Sequence, residues 1–267
     1  VSVVLDLRAV EWERPEAAPV VPPIGGRGIA PYPDVPRMSH REFGHRVGVF
    51  RLLQILQDLD ITPAIVIDVL TVEHYRPLLA HLEPVAGEFL AGGLSATRAI
   101  TSAMAPDEER HYIGTTLDRL EAALGVRPVG WLSVEHSESE RTPGLLAEAG
   151  VRYVADWCND EQPYPMVGAG QALWSFPLSW ELSDLNAFQL RQVSSDDYAR
   201  SVADAVDVLD HDGSTSGRVL GLHLHPWLSG QAFRAAAIER MLRHLREKRT
   251  AWLSTPQEIV EWCRRDG

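Results

Sequence analysis

Short apolar runs and amphipathic stretches alternate along this chain from Val1 to its last helix signal, with no linker between halves. That alternation constrains the fold more than any other feature. Strands separated by helical crossovers make a mainly parallel sheet in one α/β domain. The apolar, β-branched runs predict strands at 1–7, 63–68, 88–91, 129–132, 153–157, 173–178 and 219–225, with a last short one at Trp252. Helical spacing predicts helices over 42–59, 71–82, 106–124, 142–149, 195–209 and 231–245. Thr255-Pro256-Gln257-Glu258 is a capping box opening a final helix. Roughly seven or eight such units suit a closed (β/α) barrel better than an open sheet. No glycine-rich dinucleotide loop follows the first strand.

The one irregular stretch is long. Residues 13–40 carry seven prolines and three glycines, which neither helix nor strand tolerates. Directly after the first strand, such a segment is expected to frame a site at the barrel mouth. At 267 residues the chain can bury a sizeable core in a single domain spanning 1–267. The formal charge of −12 speaks against a nucleic-acid partner. No apolar run is long enough to span a membrane, and no basic-then-apolar leader is visible from Val1 on, though one could have been removed, so a cytoplasmic location is expected. Cys158 and Cys263 are too few for a disulfide framework. Lys248 is the only lysine among 25 Lys+Arg, which suggests a GC-rich bacterial genome.

In a β/α barrel the reactive groups sit at the C-terminal ends of strands and in the loops that follow. Asp6 ends the first strand and Asp156 the fifth. Along 219–225, alternation puts Gly221, His223 and His225 on one face, and two histidines make poor core residues. Glu135 and His136 follow Trp131, and Asp160 follows Trp157. With Trp227, these tryptophans predict an aromatic wall suited to a small organic ligand. His225, Asp6 and Asp156 are the expected catalytic residues. Trp157, Asp160, Glu135, His136, His223, Trp131 and Trp227 are expected to bind substrate.

An ordered set of short motifs runs through these positions. They are Leu5-Asp6-Leu7, Tyr32-Pro33-Asp34, Arg46-Val47-Gly48-Val49-Phe50-Arg51-Leu52-Leu53, Arg127-Pro128-Val129-Gly130-Trp131, Ser139-Glu140-Arg141-Thr142-Pro143, Asp156-Trp157-Cys158-Asn159-Asp160 and Leu224-His225-Pro226. Together they resemble the polysaccharide deacetylase superfamily, in the branch with cyclic-imide hydrolases, a peptidoglycan deacetylase and a metal-independent allantoinase. The resemblance implies a distorted (β/α)7 barrel and hydrolysis of an amide or imide C–N bond, often with one divalent metal. It implies that Asp6 is the base or a metal ligand, that Asp156 is the acidic residue after strand five, and that His225 is the general acid. It also implies two metal-binding histidines after strand three, where this chain has Gly87 and Gly92. Arg8 stands close to Asp6, and a guanidinium there would repel a divalent ion.

No bound metal and no other cofactor is therefore expected. A relocated site using His223, His225 and His136 is the alternative. A metal-free acid/base enzyme acting on an activated C–N bond, in a cyclic imide, ureide or amide, is the leading reading. A non-hydrolytic cyclase, isomerase or lyase tailoring a secondary metabolite is the second, and a non-catalytic binding protein the third. The expected partners are a small-molecule substrate and further copies of the chain in a homo-oligomer.

Overall fold

A computed structural model describes residues 1–13, 33–167 and 173–266. Its centre is an eight-stranded sheet in the order β6-β7-β5-β4-β3-β2-β1-β8. The strands are β1 (Ser2–Asp6), β2 (Ala64–Ile67), β3 (Glu88–Ala91), β4 (Gly130–Trp131), β5 (Tyr153–Val154), β6 (Tyr164–Pro165), β7 (Trp174–Ser175) and β8 (Gly221–Leu224). All pairings are parallel except β6 with β7. A parallel bridge from Leu178 to Gly221 joins the chain after β7 to β8 and curls the sheet into a seven-stranded parallel barrel. The expected distorted (β/α)7 architecture is present, with β6 as an antiparallel addition.

Period-two alternation decides what lies inside. Val4, Ala64, Val66, Leu90, Leu132, Tyr153, Ala155, Phe176 and Leu178 form an inner cluster, closed below by Ile259 and Val260. The opposite faces, with Val3, Leu5, Ile65, Ile67, Leu222 and Leu224, join a second cluster shared with the helices. Asp6 lies on the inward file of Val4. In register Val4 pairs with His223, so His223 shares that file, and His225 follows two residues on. Three polar side chains thus meet at one end of the barrel because β1 and β8 are adjacent and in register.

The helices are α1 (Val35–Phe43), α2 (Val49–Asp58), α3 (Val69–His74), α4 (Arg76–Leu82), α5 (Pro106–Leu124), α6 (Thr142–Glu148), α7 (Ser195–Gly213), α8 (Pro226–Ser229), α9 (Ala232–Glu247) and α10 (Pro256–Asp266). The capping box of α10 is reciprocal, with Glu258 N donating to Thr255 Oγ1 and Thr255 N to Glu258 Oε2, each at 3.3 Å. Three expectations are corrected. Helix 71–82 is two helices, because Pro77 falls in the first turn of α4 and breaks the run at Tyr75. The segment around Trp252 is not a strand: it runs irregularly past the N-terminus, where Val1 N donates to Trp252 O at 2.7 Å and Ser254 N to Val1 O at 3.0 Å. Residues 35–40 of the proline-rich segment are helical, since Pro36 sits in the first turn of α1 and Asp34 caps it. Residues 14–32 of that segment lie outside the described residues.

α1 and α2 run together through a π-helical stretch at Gly44–Gly48. There the backbone touches α8: a Cβ on Gly48 would lie 2.0 Å from Pro226 O, and one on Gly230 would lie 2.4 Å from Gly48 Cα. This contact fixes α8 immediately behind His225. Among the described residues no helix is long and apolar enough to cross a membrane.

Candidate active site

The site is built on Asp6, which is buried at the end of β1. Both its carboxylate oxygens accept from the Arg8 guanidinium, with Nε to Oδ1 at 3.1 Å and Nη2 to Oδ2 at 2.5 Å. His223 Nε2 donates to Oδ2 at 3.1 Å, and His225 Nε2 stands 3.6 Å from the same oxygen. Burial would raise the Asp6 pKa. The Arg8 charge and then the His223 hydrogen bond outweigh it and hold the group well below the carboxylate range. His223 is pushed down to about 4 by burial and then by His225, so it is neutral near pH 7.

His225 is oriented from behind. Its Nδ1 donates to Asp184 Oδ1 at 2.6 Å. Its backbone N–H and Ser229 Oγ donate to Asp184 Oδ2 at 2.8 and 2.6 Å. With Nδ1 committed, Nε2 is the proton-accepting nitrogen of the neutral ring and faces Asp6. Sequence reasoning missed Asp184. It opens a short helical stretch that continues as a π-helix at Asn186–Leu190, 41 residues before His225, and no periodicity flags it.

A mouth cavity of about 20 Å³ is lined by Arg8, Arg41, Glu135, His136, Trp180, His223 and His225, among others. Glu135 and His136 both hold φ of +53, an uncommon left-handed conformation for residues other than glycine. The His136 ring meets Trp180 edge-on at 5.1 Å. A neighbouring cavity of about 250 Å³ lies among Ala9, Glu11, Trp12, Met38, His45 and Tyr75, and Arg41 belongs to both walls. A larger cavity of about 680 Å³, lined by Val1, Trp174, Trp252 and Trp262, opens at the opposite end of the barrel, remote from these groups.

The other expected site residues are spread around this centre. Asp156 is one layer back, with Oδ1 accepting from Ser133 N at 2.7 Å and standing 3.9 Å from His136 Nδ1. Glu138 is close by, and burial and then the Asp156 carboxylate raise it to about 9. Trp157 is exposed on the same loop and donates to Glu138 Oε2 at 3.2 Å. Asp160 is an exposed turn residue accepting from the backbone of Glu161 and Gln162. Trp131 is core, with its indole N–H on Ser133 Oγ at 2.9 Å. Trp227 backs the site, its ring 6.0 Å from that of His225.

Asp6, His223 and His225 have possible ligand atoms within 4.8 Å of one another, the one such cluster among the described residues. A divalent ion does not fit it. The Arg8 guanidinium already occupies both oxygens of Asp6, and a second cation there would meet a fixed positive charge. Arg8 also fills the space beside β3: a Cβ on Gly92 would come within 2.8 Å of Arg8 Cδ. Any larger side chain at position 92 would displace Arg8. Gly87 is a correction to the expected ligand pair. It sits before β3, packed against Thr62 and Thr255 at the far end of the barrel, and cannot face this site in any case.

No family model matches the chain. A Schizosaccharomyces pombe protein named as a polysaccharide deacetylase is 22% identical over 256 residues, spanning 88% of this chain and 79% of that one. A probable polysaccharide deacetylase from Pseudomonas aeruginosa PAO1 superposes with a TM-score of 0.87 at 22% identity, over 99% of this chain and 90% of that one. Puue allantoinase superposes with a TM-score of 0.85 at 22% identity, over 97% and 88%. The chain thus shares the fold of these polysaccharide deacetylase and allantoinase structures.

Proposed function

We propose that the protein is a metal-free hydrolase of an activated C–N bond in a small organic molecule, such as a cyclic imide, ureide or strained amide. The observation that carries this reading is the Asp184–His225 pair aimed at an Asp6–Arg8 ion pair at the barrel mouth. His225 Nε2 takes the proton of an attacking water, and the resulting imidazolium returns it to the departing nitrogen. Asp184 holds the ring and its tautomer. Arg8, fixed by Asp6 and by Ser133 O at 2.9 Å, supplies preorganised positive charge for the oxyanion that forms. Asp6 is therefore an anchor for Arg8 more than a base, because its oxygens are saturated and its pKa is depressed. The mouth cavity admits about one water, and the adjoining 250 Å³ cavity admits a small ring. Polysaccharide chains are poor candidates for this space, and ring strain offsets the missing Lewis acid.

The test is ring opening of cyclic imides and hydantoins by the wild-type protein and by His225→Ala, with metal content measured on the same samples. Wild-type turnover without stoichiometric metal is expected, and a loss of about 10²–10⁴-fold in the variant with its fold retained. Turnover that survives in His225→Ala, or that requires one equivalent of zinc, cobalt or nickel, defeats the reading. His223→Ala, one pleat deeper, should cost less activity and more stability.

A further inference from the structure

Building on that hydrolase reading, we infer that the substrate carries a carboxylate and that Arg41 is the residue that receives it. Arg41 projects from α1 into the wall shared by the mouth cavity and the 250 Å³ cavity. It is half-buried, and its guanidinium carbon lies 4.9 Å from the centre of the Trp227 ring. The same indole ring is 6.0 Å from the ring of His225. An anion on Arg41 and the proton-carrying histidine would thus flank one tryptophan.

The contrast with Arg8 singles Arg41 out. Arg8 is held by two-pronged contact with Asp6. Among the described residues, no carboxylate lies within ion-pair distance of Arg41 and none accepts a hydrogen bond from its guanidinium. The acids around the two cavities are engaged or turned to solvent. Asp6 is taken by Arg8 and His223. Glu11 is held by Arg98 at 2.9 Å, and Asp184 by His225 and Ser229. Glu42 and Glu135 are exposed. The Arg41 guanidinium is half-buried and its donors open into the cavity space, where an entering anion can complete them. The planar fork stacked on an aromatic face is pre-set for two parallel hydrogen bonds to a carboxylate. Burial lowers the Arg41 pKa, opposed chiefly by the Asp6 charge, which agrees with a cation awaiting a partner.

The experiment measures binding separately from turnover. Hydantoin-5-acetate, 2-pyrrolidone-5-carboxylate and N-acetylaspartate are each paired with the corresponding primary amides, and dissociation constants are taken by calorimetry for wild type, Arg41→Gln and Arg41→Lys. The expected result is about ten- to a hundredfold tighter binding of at least one acid over its amide in wild type. That preference should be lost in Arg41→Gln, with the amide unaffected, and partly restored in Arg41→Lys. Equal affinity within every pair, no detectable binding of any acid, or a preference that persists in Arg41→Gln overturns the inference. Ring opening is followed in the same samples. A preference without hydrolysis leaves the anion site standing and removes the hydrolase reading, whereas hydrolysis without a preference removes only the anion site.

Discussion

At the residue scale, the site rests on how each side chain is held rather than on which residue types are present. His225 is legible from period-two alternation and from the proline that follows it, and His223 from the same pattern. Asp184 is the counterweight. Replacing it by Asn keeps the volume but puts an amide N–H₂ or a neutral oxygen against Nδ1, which weakens the chosen tautomer. Asp184→Asn should therefore lower turnover by about 10²–10⁴-fold with little change in KM. Circular dichroism and steady-state kinetics on the same preparation check this, and turnover within threefold of wild type would leave Asp184 a packing residue only. From sequence alone Arg8 is only an obstacle to a metal. Its hydrogen bonds to Asp6 and to Ser133 O show it as a structural cation in its own right.

At the scale of elements, motif residues turn out to serve two different ends. Ser139, Arg141 and Thr142 all donate to the buried Glu109 of α5, so this motif ties α6 to α5 and takes no part in the site. Gly48, in the motif before α2, permits backbone contact with α8 and so sets the position of His225. Gly48→Ala should cost about 1–3 kcal/mol, because its Cβ would collide with Pro226 O and backbone cannot yield as a side-chain tip can. Gly144→Ala in α6 is the control: nothing lies within 4 Å of its Cβ, and helix propensity favours alanine by roughly 0.5–1 kcal/mol. Denaturant melts should show opposite signs for the two. A Gly48 variant as stable as wild type would remove the argument that this crossing places α8.

At the scale of the whole molecule, the two ends of the barrel are polar for different reasons. The mouth gathers Asp6, Arg8, His223 and His225, while the floor is closed by Glu88. Tyr153 Oη donates to Glu88 Oε2 at 2.7 Å, and Gln257 N to Oε1 at 2.8 Å, tying β3, β5 and α10 together. Burial raises Glu88 from the ordinary 4.5 to about 7. The folded protein thus holds this proton through a window in which the unfolded chain has released it, so stability falls as pH rises from about 4.5 to 7. Glu88→Gln removes that contribution and should gain about 1–3 kcal/mol relative to wild type at pH 7.5, with little relative change at pH 4.5. Asp68, raised to about 7 by burial, adds the same slope to both proteins and cancels in the comparison. Urea midpoints at the two pH values measure the difference, and parallel pH profiles would show that Glu88 does not titrate there.

Local patterning sufficed for the seven parallel strands and the main crossover helices, for the inward face of β8 and for the end of the barrel at which Asp6, His223 and His225 stand. Those follow from local periodicity and from the handedness and adjacency of parallel crossovers, which act within one element or between neighbours. The three-dimensional packing was needed to show that Arg8 binds both oxygens of Asp6, that Asp184 stands behind His225, and that Gly87 and Gly92 lie at opposite ends of the barrel. It also separated Trp131, which is core, and Asp160, which is a turn residue, from the groups that line the mouth. Each of these depends on distance and direction between residues far apart in the chain, and no local pattern encodes where a loop between two strands will carry its side chains.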